Sequence, residues 1–351
     1  MRLFGALAAA AAVAALGGSS GADAAGVSPA RLAGQSIMTG MTGLTPGAAL
    51  LARIRAGQVG GVILFGRNIG SRAELTEAID ELQAAAAEGG NPPLLIAVDQ
   101  EGGSVRRLPY GPPDLSPAEI GAGGSTAKAR SEGSQTAGYL RSFGIDVDLA
   151  PVLDTPYSPK SFLGTRAFSR DPRTNAAMGT SFIEGLQVGG VAATAKHFPG
   201  LGTARTSTDD RAVILTTSQR SLAARLPPFE QAIGAKVDLV MVSNAGYAAY
   251  DPTGTPAVLS RPIVTGLLRQ QLGFSGVVIS DALEAPGPAS RSDAAVRAVN
   301  AGVDVLLFTN ERDSAAAYSK LVAAIGSGAL PLAALQASSA RIAALKSRLP
   351  G

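Results

Sequence analysis

"LLIAVDQ", residues 94–100, stays apolar for five residues and then turns polar at Asp99 and Gln100. A strand with one wet face alternates between apolar and polar side chains. An unbroken apolar run fits instead a strand buried on both faces, as in a parallel sheet covered by helices. The pattern recurs in "GQSIMTG" (34–40), "GVILF" (61–65), "DVDLAPV" (146–152), "AATAKHF" (192–198), "LVMVSN" (239–244), "GVVISD" (276–281) and "DVLLF" (304–308), which makes eight.

Helical signals lie between these runs. In "SRAELTEAIDELQAAA", Ser71 and Glu74 have capping-box spacing, and Leu75, Ile79 and Leu82 share one stripe. "SRPIVTGLLRQQLGF" predicts a helix that starts at Ser260, with Pro262 in its first turn, and stops at Gly273. Eight such units predict an α/β fold, a single-domain (β/α)₈ barrel of TIM type over residues 26–351, since such barrels take about 250 residues plus loops. An open doubly wound sheet uses the same alternation and is the competitor. The Gly/Pro-rich stretch 109–124 reads as a loop over the barrel mouth.

Of the 351 residues, 46% are hydrophobic and only 16% charged, which marks a globular chain. A net charge of +3 with scattered basic residues gives no support for a nucleic-acid partner. The first residues combine Arg2, an apolar run from Leu3 to Leu16 and small residues ending in "ADAA". That layout predicts a secretory signal peptide over residues 1–25, cleaved after Ala24 or Ala25, and hence a secreted chain. The apolar run is short of the 18 or so residues of a membrane span. With no cysteine there is no lipid-anchoring thiol, no disulfide and no thiol chemistry.

In a barrel, chemistry collects where strands end and the following loops begin. Polar residues break the apolar runs there: Asp99, Asp154, Lys196 with His197, Asn244 and Asp281. Singly, Asp99 or Asp281 could cap a helix and Lys196 could pair with a carboxylate. Their convergence at one face favours a shared ligand site, because each buried charge is costly unless paired or hydrated. One histidine and no cysteine are too few for zinc, although paired Asp residues could hold magnesium. Carboxylates mixed with basic donors also suit a sugar, and retaining glycosidases need one carboxylate nucleophile and a second acid/base group.

The motifs "GVILFGRNI", "IAVDQEGGSVRRL", "GIDVDLAPVLD", "LGTRAFSRDP", "AKHFPGLG", "LPPFEQAI", "LGFSGVVISDAL" and "AGVDVLL" occur in that order from about residue 32 to about residue 310. In them the chain resembles glycoside hydrolase family 3, in particular its single-domain β-N-acetylhexosaminidase branch. The resemblance implies a TIM-like barrel without a second sandwich domain. It also implies that Asp281 is the nucleophile forming a covalent glycosyl intermediate, and that Asp99, Arg107, Arg166, Lys196 and His197 hold the sugar hydroxyls. An Asp accepts hydroxyl bonds while Arg and Lys donate them.

The chain departs from that branch after "KHFPG", where a second His gives way to Leu201, and where a loop ending in Asp-Ser-His gives way to Ser207, Thr208 and Asp209. The His that often stands at position 244 is Asn here. Asp209 is therefore the candidate acid/base, with Asp210 as its alternative. The other reading makes "TSTDD" a polar turn, with Asp210 pairing Arg205 or Arg211. Gly200 and Gly202 read as backbone-turning glycines, since "GLGTAR" lacks the rest of a dinucleotide fingerprint.

The expected protein is a secreted retaining β-glycosidase acting on terminal β-linked N-acetylhexosamine of cell-wall or environmental glycans, with no metal or organic cofactor. A β-glucosidase of the same family and a non-catalytic carbohydrate-binding relative are the alternatives. Expression in an exporting host should yield a chain beginning at Ala25 or Gly26; intact-mass measurement of the secreted product checks this, and a chain retaining Met1 would contradict it.

Overall fold

A computed structural model of the chain describes residues 26–350, so the expected signal peptide lies outside the described residues. Each apolar run contains a strand: β1 (Ile37–Gly40), β2 (Gly61–Leu64), β3 (Leu95–Val98), β4 (Val147–Asp148), β5 (Ala192–Phe198), β6 (Leu239–Val242), β7 (Val277–Ser280) and β8 (Leu306–Phe308). Neighbours pair in parallel from β1 round to β7, and β8 pairs with β1. Ile279 and Val305 bridge the remaining gap, where the Ser280 amide donates to the Val305 carbonyl at 2.8 Å. The sheet thus closes on itself. An open doubly wound sheet would leave two edges, so the barrel is the observed fold.

Helices cover the outside, among them Arg72–Glu88, Thr126–Arg141 and Pro172–Val188. The capping box is present: the Glu74 amide donates to Ser71 Oγ at 3.3 Å, and the Ser71 amide to Glu74 Oε2 at 2.8 Å. Leu75, Ile79 and Leu82 are buried beneath it. The helix expected from Ser260 forms over Pro262–Gln271, wound wider than an α-helix. Ser260 does not cap it, because its hydroxyl donates to the Asp251 carboxylate at 2.6 Å instead.

The stretch 109–124 is a loop only over its first half. Ser116 and Glu119 form a second capping box that starts a helix at Pro117–Ala122. Gly121 lies so close to the Phe168 carbonyl that a Cβ would sit 1.8 Å from that oxygen. The preceding turn is fixed by Gln100, whose side-chain amide donates to the carbonyls of Leu108 and Pro112.

Inside the barrel, alternate residues such as Met38, Ile63, Ala97, Leu149, Met241, Ile279 and Leu307 form one apolar cluster. Ile342 and Leu345 join it from the terminal helix Leu332–Lys346, which plugs the end where the strands begin. Asp304, just before β8, ties the plug in place. Its carboxylate accepts from Ser338 Oγ (2.8 Å), Arg341 (2.8 and 3.0 Å), Arg269 (2.6 Å) and the Val278 amide (2.8 Å).

Asp304→Ala leaves two arginines and an amide without their acceptor, and should destabilise the fold by about 3–5 kcal/mol. Urea unfolding checks this.

Candidate active site

The alternation that fills the barrel also builds the site. Phe65, Asp99, Asp281 and Thr309 stand two residues beyond inward apolar ones and Lys196 four beyond Ala192, so their side chains continue toward the axis at the C-terminal side of the strands. All five line a cavity of about 320 Å³. Arg107, Arg166, His197 and Asp209 line it too. A larger hollow of about 680 Å³ lies at the opposite end, beside Asp146 and Lys346, away from these strand ends. Asp210 does not line the cavity; in the turn it closes, its amide donates to the Ser207 carbonyl.

Lys196 is almost fully buried and needs partners. It pairs with Asp99 and with Glu101, each at 2.7 Å. Burial opposes its charge, but the two carboxylates raise its pKa. Arg166 reaches the same Glu101 in a two-pronged pair, both contacts at 2.8 Å. Burial by itself would push the Glu101 carboxyl up, yet Lys196 and Arg166 outweigh it and hold it at about 2. Arg107 stands 3.7 Å from the other oxygen of Asp99.

His197 lies beside this chain of charges. Its Nδ1 is 2.7 Å from the buried Asp154 carboxylate, whose second oxygen accepts the Leu201 amide. The turn between them depends on glycine twice. Gly200 has φ +121°, and a Cβ on Gly202 would lie 1.8 Å from the Thr155 carbonyl oxygen.

Asp281 accepts from the Ala282 amide at 2.8 Å. Burial pushes its carboxyl up; the positive field of His197 and Lys196 opposes this, while Asp209 adds to it. Asn244 is outside the cavity and donates to the Ala282 carbonyl at 2.7 Å, which fixes the turn that carries Asp281. Asp209 is exposed, and its carboxylate accepts from Ser207 Oγ at 3.1 Å.

Sequence reasoning missed two carboxyls. Glu101 follows Asp99 by two residues, so extending the alternation one step further would have found it. Asp148 sits inside "DVDLAPV" and points outward from the barrel, where it accepts the Gln100 amide at 3.0 Å while its second oxygen has no partner. Burial pushes its carboxyl up to about 8. Among the described residues, no group of three or more His, Asp or Glu is placed to hold a metal ion.

A closed parallel barrel whose mouth gathers carboxylates with Lys, Arg and His donors around a cavity sized for one sugar ring defines a barrel-type glycoside hydrolase. The chain belongs to glycosyl hydrolase family 3: the model of the "Glycosyl hydrolase family 3 N terminal domain" matches residues 37–345. It is 37% identical over 331 residues to an "Uncharacterized secreted glycosyl hydrolase" of Arthroderma benhamiae, covering 90% of this chain and 93% of that one. It is 38% identical over 271 residues to a "Beta-hexosaminidase" of Pseudomonas aeruginosa, covering 75% of this chain and 78% of that protein. Among solved structures it resembles a family 3 β-N-acetylglucosaminidase from Paenibacillus sp. FPU-7, with a TM-score of 0.89 and 35% identity. That match covers 92% of this chain and 62% of the Paenibacillus chain.

Because the folded state holds the Asp148 proton more tightly than the unfolded chain does, stability falls as pH rises from about 4 toward about 8. Asp148→Asn keeps the acceptor for Gln100 without the charge. It should raise the melting temperature at pH 8–9, with the gain disappearing near pH 4; a pH series of thermal melts checks this.

Proposed function

We propose that this chain is a secreted, retaining β-glycosidase that removes terminal β-linked N-acetylhexosamine. The observation that carries the reading is that Asp281 and Asp209 line one cavity together with Asp99, Arg107, Arg166, Lys196 and His197. The hexosaminidase and N-acetylglucosaminidase names of its relatives support that sugar over glucose, and the name of the Arthroderma relative supports export. A cavity closed below by the barrel filling accepts the end of a glycan rather than its middle.

In the first step an Asp281 oxygen attacks the anomeric carbon as the glycosidic C–O bond breaks, and Asp209 gives its proton to the departing oxygen. In the second, Asp209 takes a proton from water, the water oxygen bonds to the anomeric carbon, and Asp281 leaves as a carboxylate. Asp281 must be ionised to attack. Its raised pKa therefore places the acid limb of the pH–rate profile above the ordinary aspartate value of about 3.9. Asp99, the arginines, Lys196 and His197 hold the ring hydroxyls. The exposure of Asp209 and its bond to Ser207 favour one competing reading, a sugar binder without a proton donor.

Incubation with a 2-deoxy-2-fluoro glycoside should add one glycosyl mass to a peptide containing Asp281. Asp209→Ala should stay folded and lose about 10²–10⁴-fold in kcat on substrates with poor leaving groups. Undiminished turnover would remove Asp209 from the mechanism, whereas binding with neither adduct nor turnover would favour the binder.

A further inference from the structure

We infer that Glu101 is the positioning residue of the cavity: by holding Lys196 and Arg166 at once, it decides which of their N–H groups are left for a substrate. The inference rests on the cavity being a sugar site.

The hydrogen-bond inventory shows why. An ammonium has three N–H groups and a guanidinium five. Lys196 gives one to Asp99 and one to Glu101, which leaves one. Arg166 commits Nε and one Nη2 hydrogen to Glu101, which leaves the Nη1 pair and the second Nη2 hydrogen. The Glu101 side chain is 0% exposed, at the wall of the cavity, and both its oxygens are taken up by these two cations. Asp99 is different: it is partly exposed, and Lys196 occupies only one of its oxygens at hydrogen-bond distance. Glu101 thus acts by holding the two cations, and Asp99 is left free to accept a hydroxyl.

Gln cannot do this job. An amide has one acceptor oxygen and one donor nitrogen, so either orientation turns N–H groups toward a cation. Asp keeps the charge on a shorter stem and restores part of the geometry.

The test is a double-mutant cycle at Glu101 and Arg166, read as kcat and KM on an aryl β-N-acetylglucosaminide and as N-acetylglucosamine binding by calorimetry, with a thermal melt of every variant. Glu101→Gln should lower kcat/KM by about 10²-fold at temperatures where it is folded, since small misplacements of binding groups cost that much. Glu101→Asp should recover part of the loss. The Glu101→Gln, Arg166→Met double variant should lose less than the product of the single losses, because one residue acts through the other. A Glu101→Gln protein with a lower melting temperature but wild-type kcat/KM, or losses that simply multiply, would make Glu101 a structural charge only and overturn the inference. If Glu101→Gln does not fold, Glu101→Asp in a cycle with Arg166→Lys carries the same comparison. A wild-type protein that neither cleaves nor binds any β-glycoside would overturn the sugar reading, and this inference with it.

Discussion

Burying the Lys196 ammonium is the constraint on which the mouth of this barrel depends. An isolated charge taken out of water costs several kcal/mol, and the alternation of β5 aims this one at the barrel axis just above the apolar filling, where it is almost fully buried. Asp99 and Glu101 must therefore approach it. Glu101, buried in turn, needs the second cation that Arg166 supplies. The same chain of compensations gives the cavity its arrangement of donors and acceptors. The cost of packing and the chemistry of recognition are met by the same atoms.

Around that fixed centre, roles divide by the element that carries them. Asp99, Lys196 and Asp281 stand at or next to strand ends, set by barrel geometry. His197 is held by Asp154, and the Asp281 turn by Asn244. Asp209 belongs to a surface loop held by a serine, the kind of segment that varies most while the scaffold stays constant.

The fold was legible in the sequence because burial on both faces writes itself as uninterrupted apolar runs; all eight proved to contain strands. The polar residues ending those runs were legible for the same reason, since a charge in such a context needs an explanation. The local turn chemistry was less so. Ser260 looked like a helix cap, but hydroxyls serve whichever acceptor lies nearest in space, and Asp251 is not a neighbour in the sequence. The 109–124 stretch hid a short helix behind its prolines and glycines, because Pro at a first helical position and Pro in a loop look alike. Asp209 and Asp210 could not be separated by spacing alone: adjacent residues in a turn point different ways, and only one of them faces the cavity. Glu101 has no role in the sequence reading, although the period of two continues through it.

Lys346 of the terminal helix donates to Gln35, at the end of the helix that precedes β1. The first and last described segments therefore meet at the closed end of the barrel, beneath the plug that Asp304 anchors. Residues 26–28 and the end of the terminal helix line one shared hollow there, away from the cavity. The architecture thus keeps the segments that close the barrel at one pole and the polar cavity at the other, so a change in either can be absorbed without disturbing its opposite.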